Sequence, residues 1–413
     1  MYKGILANPN VAPHIRQNVQ ALVDHNMISR VYTTFYYHKQ YPFTKFLRII
    51  SSKINQEIKR RSLDKFSYEL IKGKPFLELI RTIASKITNA KITDAIWNIS
   101  EHSFDNWVSS QINKKNDFIF VCEHSSLKTL LKAKSIRILS FYEQPSIHHN
   151  TFTEIITEQS KKYPHLVNDA VNLTIDEKSK SRNQRRDQEL NIADFIICNS
   201  SFTKNSLISA GIEIEKIIMI PLGFPEVKNE NKKKKNSLFI YMYAGNLTMG
   251  KGIHILIDAW KEIQHHIKDA ELHLYGTYFL PTSLKNDLPK NIKFFGNVPH
   301  NDLIEIYCSA NVFVNPTLAD GFGMVTTEAM SCGLPVIASK NSAGPDIIKD
   351  SVDGILINAG DIDELKNKMI WAYENQSHIA EMGLKAIEKA KSYTWKNYRD
   401  TLAKTIYSKL SND

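Results

Sequence analysis

The chain has 413 residues, 42% of them hydrophobic and 23% charged, a composition typical of a globular protein that is too long for a single ordinary core. Its four scattered cysteines show neither metal-ligand spacing nor a disulfide pattern, which fits a reducing cytosol, and no run of about 18 apolar residues predicts a membrane span. The formal net charge of +10 indicates an anionic partner, which can be nucleic acid, a membrane surface or an anionic substrate.

The N-terminal segment predicts alternating strands and helices. A strand is expected at Gly4–Ala7, a helix at Ile15–Asp24 and a second strand at Val31–Tyr36. His14, just before the helix, can face an acceptor, although a histidine at a helix start is more often on the surface. The opening segment MYKGILANPN is too poor in apolar residues for a signal peptide, so we expect a cytoplasmic protein.

The segment Tyr41–Lys65 predicts a basic amphipathic helix. Its apolar residues recur at helical spacing, and its lysines and arginines outnumber Glu57 and Asp64. Two interpretations stay open. Such a helix can lie on an anionic bilayer, or it can pack on the N-terminal half with its basic side chains in solvent.

Helical and strand patterns alternate in the middle of the chain. After a break at Gly73 and Pro75, the segment Phe76–Ile112 predicts helix, with Trp97 and Trp107 as core anchors. Strands are expected at Asp117–Cys122 and Ile136–Tyr142, with a helix at Leu127–Lys132 between them. A second helix at Lys178–Ile192 and a strand–helix–strand unit at Ala193–Phe224 follow.

The C-terminal half repeats strand, glycine turn and helix after a lysine-rich linker at Glu226–Asn236. A nucleic-acid-binding tail is the alternative interpretation of that lysine run. The later elements are a strand ending at Gly245, a helix from Gly252, strands at Glu271–Gly276 and Ile292–Gly296, a helix at Leu303–Cys308 and a strand at Ile355–Ile357. This alternation predicts a doubly wound parallel sheet.

The stretch Asn315–Ser339, reading NPTLADGFGMVTTEAMSCGLPVIAS, predicts a strand, a tight glycine turn, a short helix and a strand. Glycines flank Phe322 in the turn and let the backbone approach a ligand. Thr326 and Thr327 are expected to cap the helix, whose free N–H groups suit a phosphate. Asp320 and Glu328 frame the unit, and a carboxylate accepts hydrogen bonds from paired hydroxyls.

These residues resemble the donor-site signature of retaining glycosyltransferases of family 4, which have the GT-B fold. The signature has an acid, Gly-Phe-Gly, a Glu eight positions after the first acid, Ala-Met, and then a Gly-x-Pro-Val strand, and the chain matches it with Asp320 where Glu is usual. An ordinary strand–turn–helix with a solvated Asp and a capping Glu is the alternative.

The resemblance implies roles for individual residues. Asp320 would contact the donor sugar, Glu328 the nucleotide ribose, and Lys251 the diphosphate; Asn246 stands where the family has Arg. Residues that would bind the donor are Glu328, Gly321, Phe322, Gly323, Met324, Val325, Thr326, Gly245 and Asn246.

A second resemblance concerns the loop Glu143–His149. A group of family 4 enzymes has a similar loop with an acid and Ser-x-His, which places His148 at a histidine that touches the donor sugar or the acceptor. A polar loop without function is the alternative. Glu189 matches an acid of the same group, with no role assigned.

Asp361 and Asp363 form an acid-x-acid pair of the kind that holds a divalent cation in other glycosyltransferases. Because both directly precede a helical run at Leu365–Tyr373, helix capping is the favoured explanation, and neither a metal nor another cofactor is expected. The C-terminal segment resembles the final GT-B helix, which crosses back to the N-terminal domain.

The resemblance implies two Rossmann-like domains that face each other across a cleft. We expect an N-terminal acceptor domain at residues 1–225, a linker at 226–236, a nucleotide-sugar domain at 237–392 and a returning helix at 393–413. The implied activity is transfer of a hexose-type sugar from a UDP- or GDP-sugar to a glycan or lipid-linked acceptor, with retention of configuration, in polysaccharide biosynthesis. Peripheral contact with an anionic membrane on its inner face is part of this expectation, and nucleic acid is not. A non-catalytic nucleotide-sugar-binding or scaffold protein is the alternative.

Overall fold

The chain folds around two parallel β-sheets. A computed structural model describes residues 2–41, 61–87, 90–227, 238–285 and 288–411. Both sheets follow the doubly wound order of a Rossmann-like domain, with helices on both faces, and their carboxyl edges meet at a shared cleft. The predicted fold class, α/β with two Rossmann-like sheets, is confirmed.

The first sheet has seven strands in the order β3-β2-β1-β4-β5-β6-β7. The strands β1 to β7 are Gly4–Ala7, Ile28–Thr33, Ile71–Gly73, Phe118–Cys122, Leu139–Gln144, Phe195–Cys198 and Ile217–Met219. The helices α1 to α8 are Pro13–Asp24, Phe76–Ile87, Ala90–Ser109, Leu127–Ser135, His149–Lys162, Asp169–Ile175, Glu177–Ile192 and Ser201–Ser209. The β4 strand is fully buried because helices cover both faces of this parallel sheet.

The second sheet has six strands in the order β10-β9-β8-β11-β12-β13. The strands β8 to β13 are Phe239–Ala244, Ala270–Tyr275, Ile292–Gly296, Val312–Asn315, Val336–Ser339 and Ile355–Ile357. The helices α9 to α15 are Ile253–Ile263, His300–Ser309, Met324–Ser331, Gly344–Ile347, Ile362–Glu374, Gln376–Ser392 and Trp395–Ser411. Short 3-10 turns lie at Tyr68–Leu70, Pro164–Leu166, Ile214–Lys216 and Thr282–Lys285.

The C-terminal helix α15 packs against α1 of the first half. The Tyr398 hydroxyl donates to Asn18 Oδ1 at 2.7 Å, and Arg399 Nη1 donates to Gln17 Oε1 at 2.8 Å. Phe224 N also donates to the Tyr393 carbonyl at 2.7 Å. The segment that enters α15 therefore contacts the end of the first half, at Phe224. The domain limits stay a prediction, because residues 228–237 lie outside the described ranges.

One expectation for the N-terminal half is wrong, and the C-terminal end of a second predicted element is wrong. Trp97 is not a core anchor, since 48% of its surface is exposed. The predicted helix Tyr41–Lys65 falls mostly on residues 42–60, outside the described part, but its last turn is not helical: Ser62 bridges Tyr37 as an extended residue. None of the helices within the described ranges is long and apolar enough to cross a membrane.

Candidate active site in the cleft

The turn Asp320–Gly323 leads from β11 into α11. Gly323 is the N-cap residue, with a φ of +84° that disfavours any residue with a Cβ. The helix therefore begins at Met324, and the expectation that Thr326 and Thr327 cap it is wrong: both are buried inside the helix. The first two amides, of Met324 and Val325, have no acceptor in a preceding turn and belong to residues on the wall of the cleft, whereas the Thr326 amide donates to the Gly323 carbonyl at 2.9 Å.

The same turn presses against the first half of the chain. A Cβ on Gly321 would lie 1.8 Å from the Pro145 carbonyl oxygen, so only glycine fits there. The hydroxyls of Ser200 and Thr203 donate to the Gly321 carbonyl at 2.5 and 3.2 Å. The cleft is therefore closed at this point by direct contact between its two sides.

Lys251 reaches the turn from the loop after β8. Leu318 N donates to the Gly250 carbonyl at 3.0 Å, which ties the two loops together. Lys251 Nζ lies 2.5 Å from Asp320 Oδ2, and both side chains are partly buried, with exposed fractions of 31% and 18%. Two residues predicted to act on the donor are thus joined as an ion pair.

Two cavities meet at this ion pair, and Lys251 and Asp320 line both of them. Cavity A, about 290 Å³, holds the Gly245 backbone, Phe322, Gly323, Met324 and Val325 on one wall and His14 on the other. Cavity B, about 470 Å³, shares the pair with cavity A and is also lined by Gly321. The pair therefore lies at the junction of the two cavities.

Glu328 and Asn246 lie outside the lining of both cavities. Glu328 Oε2 accepts from the Tyr307 hydroxyl at 3.3 Å, and its Oε1 lies 3.1 Å from Nε2 of the exposed His300. Asn246 is exposed, and its backbone oxygen accepts from Tyr243 at 3.1 Å. Their predicted contacts with a donor stay predictions.

His148 is the N-cap residue of α5 and is 3% exposed. Its Nδ1 accepts from Asn150 N at 3.2 Å, so the proton of the neutral ring is on Nε2, which faces Asp187 Oδ1 at 3.2 Å. The neighbouring His149 Nε2 lies 2.6 Å from the same oxygen, and His149, not His148, lines cavity B. The predicted contact of His148 with a substrate stays a prediction.

The His148–His149–Asp187 group is the set of potential metal ligands found among the described residues. Because His148 Nδ1 accepts from Asn150 N, coordination of a metal through Nε2 would require this hydrogen bond to be lost. Asp361 is the N-cap of α13 and accepts from Glu364 N at 2.8 Å, as expected for a capping residue. Asp363 instead lies in the first turn and pairs with Lys366.

Glu189 organises the loop after β4, a role that sequence reasoning did not assign. Its fully buried carboxylate accepts from the backbone N–H groups of His124, Ser126 and Leu127 at 2.8–3.0 Å and from the Tyr142 hydroxyl. This holds the segment that carries His124 into the cleft. A lone acid in a helix as polar as α7 offers no local signal of this function.

His14, whose side chain is 17% exposed, and the buried Glu143 form a second pair that sequence reasoning missed. Burial lowers the pKa of His14 to about 4, and burial raises the pKa of Glu143 to about 7. Between these values neither group is charged, so the 4.0 Å contact between them is not an ion pair. Glu143 Oε1 accepts from Asn18 Nδ2 at 2.7 Å, which links this pair to Tyr398 of α15.

Residues 224–392 match the family model described as glycosyl transferases group 1. An uncharacterized glycosyltransferase of Methanocaldococcus jannaschii is 27% identical over 223 residues, 53% of this chain and 61% of that protein. The O-antigen chain mannosyltransferase B of Escherichia coli is 31% identical over 106 residues, 26% of this chain and 27% of its own length. The chain thus spans less than two thirds of these relatives.

Solved structures resemble the chain over its whole length. The Anabaena protein HepE, in complex with UDP and glucose, gives a TM-score of 0.61 at 16% identity, with 99% of this chain and 100% of that chain covered. The sucrose-phosphate synthase of Thermosynechococcus elongatus gives 0.62 at 17% identity, with both chains fully covered. At such identities the likeness establishes the shared fold.

Proposed function

We propose that this chain, which has the GT-B fold and matches the glycosyl transferases group 1 model at residues 224–392, is a glycosyltransferase that transfers a hexose-type sugar from a nucleoside diphosphate-sugar to an acceptor hydroxyl. The observation that carries the proposal is the Lys251–Asp320 pair at the junction of cavities A and B. Retention of configuration and membership of family 4 are the finer parts of the same proposal, supported by the match at Asp320–Glu328.

Cavity A takes the diphosphate in this proposal. The amides at the start of α11 carry partial positive charge and suit an anion, and Lys251 adds a full charge within reach. When the diphosphate enters, it competes with Asp320 for the Lys251 ammonium. The carboxylate is then free to accept hydrogen bonds from the hydroxyls of the donor sugar.

The sugar bond breaks as negative charge grows on the diphosphate. In the retaining scheme the departing phosphate oxygen removes the proton of the acceptor hydroxyl on the same face of the sugar. That hydroxyl oxygen then bonds to the anomeric carbon. The chain contributes position and charge, through Lys251 and the α11 amides, and needs no covalent nucleophile.

A donor panel tests the proposal. The names of relatives and neighbours mention GDP-mannose and UDP-glucose, so UDP-, GDP- and ADP-sugars are the first probes, with the released nucleotide and product identified by mass spectrometry. The proposed function requires release of nucleoside diphosphate from at least one donor. Binding of a nucleotide-sugar without any turnover would instead favour a non-catalytic binding protein, a reading motivated by the exposed Asn246 at the position of the usual Arg.

Contact with an anionic membrane is a further part of the proposal. Four apolar residues on α2 and α3 have exposed fractions between 37% and 70%, namely Phe76, Ile80, Ile92 and Ile99. Sedimentation with anionic and with neutral vesicles tests this contact, and equal sedimentation with both would reject it.

A further inference from the structure

Cavity B continues into a third cavity, C, of about 270 Å³. The two share His124, His149, Phe152, Thr174 and Arg186, so they form one groove that starts at the Lys251–Asp320 pair. The part next to the pair has apolar walls from both halves of the chain, including Phe152, Ile156, Met249 and Leu280. The far part is lined by planar polar side chains, including Asp94, Asn98, Arg182 and Asn183.

Trp97 stands at the far end of the groove and lines cavity C. Its indole is 48% exposed, although an aromatic ring of this size usually lies in a core or an interface. The Arg81 guanidinium lies 5.9 Å from its ring centroid, and the His124 ring lies 6.3 Å away. An exposed aromatic face beside amide and carboxylate groups matches a sugar ring, which has an apolar C–H face and a rim of hydroxyls.

The charges along the groove compensate each other. Among the described residues that line it, each of the three cations contacts a carboxylate: Arg182 pairs with Asp94, Arg186 Nη2 lies 3.1 Å from Glu123 Oε2, and Lys251 pairs with Asp320. A phosphate or carboxylate on a ligand would therefore have to break an existing pair in order to find a partner.

The remaining titratable groups of the groove are Glu101, His124 and His149, and burial lowers the pKa of His149, which favours its neutral form. Burial raises the pKa of Glu101 to about 8, so this carboxyl is largely protonated at neutral pH and donates one hydrogen bond. Burial, with a smaller effect of Arg186, lowers the pKa of His124 to about 4, which leaves its imidazole neutral. The groove thus offers hydrogen bonds and apolar faces without excess charge.

We propose that cavities B and C form an acceptor groove with two subsites for a neutral glycan of at least two sugar units. The near unit presents its hydroxyl at the Lys251–Asp320 pair, and the distal unit stacks on Trp97 and bonds to Asp94, Asn98 and Asn183. This inference rests on the proposed function, which places the reacting end of the glycan at the Lys251–Asp320 pair. Binding of a glycan in the groove can be tested without the donor.

Saturation-transfer NMR on the full chain tests the groove. The probes are methyl glycosides of glucose, galactose and mannose, their neutral disaccharides and trisaccharides, and disaccharides that carry a 6-phosphate or a uronic acid. At least one neutral disaccharide should bind about tenfold more tightly than its monosaccharide and its charged analogues. Trp97→Ala should remove this tenfold advantage and Trp97→Tyr should retain most of it, because tyrosine preserves a stacking face.

Trp371→Ala is the matched control, since this tryptophan is 37% exposed and lines none of the cavities A, B and C. It should bind every probe as the wild type does. The proposal is overturned if no neutral oligosaccharide binds, if the charged analogues bind as tightly, or if Trp97→Ala keeps the full affinity for disaccharides. Binding of octyl glycosides that depends only on the alkyl chain would also overturn it, in favour of a lipid acceptor.

The same samples separate this inference from the proposed function. Titration with UDP and GDP reports on cavity A, and Trp97→Ala should leave that affinity unchanged. A chain that binds oligosaccharides but no nucleoside diphosphate would contradict the proposed function and keep the groove. A chain that binds nucleotide and hydrolyses a donor but binds no neutral oligosaccharide would contradict the groove alone.

Discussion

Lys251 Nζ and Asp320 Oδ2 lie 2.5 Å apart, although 69 residues separate them in the chain. The loops that carry them are joined through the Gly250 carbonyl, so the pair is held by backbone contacts as well as by charge. Since the pair lines both cavities, each of its members can be tested separately.

Lys251→Ala should lower turnover on the order of 100- to 1,000-fold, with a smaller effect on donor affinity. The ammonium would stabilise charge that develops on the leaving diphosphate, and losing one such group costs about this much. Steady-state kinetics with a donor from the panel measures it. Lys366→Ala, which removes a lysine paired with Glu262 and Asp363 on the outer surface, is the control. A Lys251→Ala protein within about threefold of wild type would show that another residue binds the phosphates.

Glu328→Gln should weaken binding of a free nucleoside diphosphate more than Asp320→Asn does. The prediction places Glu328 at the ribose, which the free nucleotide carries, and Asp320 at the sugar, which it lacks. Isothermal calorimetry with UDP and GDP measures both affinities. Equal losses in the two variants would contradict this division of roles.

Gly321→Ala should lower turnover about 100-fold, since a displacement of about 1 Å in a catalytic site costs that much. The new methyl group would lie 1.8 Å from the Pro145 carbonyl oxygen, which forces the two sides of the cleft apart. Small-angle scattering should show a larger radius of gyration. Unchanged scattering together with unchanged kinetics would mean that the turn adjusts without opening the cleft.

Glu143→Gln should change how stability depends on pH. Burial raises the pKa of Glu143 from 4.5 to about 7 in the folded chain, so the folded state holds this proton more tightly than the unfolded state. The resulting stability is fully present below about pH 4.5 and is lost as the pH rises through 7. Relative to wild type, the free energy of unfolding of Glu143→Gln should therefore rise by about 3 kcal/mol between pH 4.5 and pH 8.

Urea denaturation at several pH values measures this difference. Glu154→Gln changes an exposed carboxyl on α5 and should follow the wild-type profile. Parallel profiles for Glu143→Gln and wild type would show that Glu143 ionises normally in the folded chain.

Activity should persist in excess EDTA. Lys251 and the α11 amides can carry the charge of the diphosphate, Asp361 caps a helix, and the protonated Nε2 of His148 faces Asp187. The measurement is turnover with EDTA and after addition of magnesium or manganese. Loss of activity in EDTA that either metal restores would reject this prediction.

Much of the fold could be predicted because its signals are local. Gly4–Ala7, Ile292–Gly296 and Ile355–Ile357 are strands with the predicted bounds, since short apolar runs between turn residues identify buried parallel strands. The predicted first residues of helices were less accurate than the predicted bounds of these strands. The helix predicted at Leu365 begins at Ile362, because a first turn faces solvent and carries no apolar repeat.

Part of the candidate site could also be predicted from the sequence. The glycines around Phe322 predict a tight turn before a helix, and this turn lines the cleft. Trp97 shows the limit of such reasoning, because an apolar residue at helical spacing predicts a core position unless the neighbouring element is known. In the described part of the chain the Arg81 guanidinium and the His124 ring lie near its indole but leave 48% of the residue exposed, and only the tertiary structure shows this.

The sequence by itself determined the class of the fold and the residues of the turn, because strand runs, glycine turns and helix periodicity depend on neighbours in the chain. Only the tertiary structure decided which polar and charged side chains come into contact. Lys251 pairs with Asp320, and Glu143 contacts Asn18 and His14. Glu189 accepts hydrogen bonds from three backbone amides of the loop after β4. These partners come from distant segments, and the burial that sets their pKa values exists only once the sheets and helices have packed.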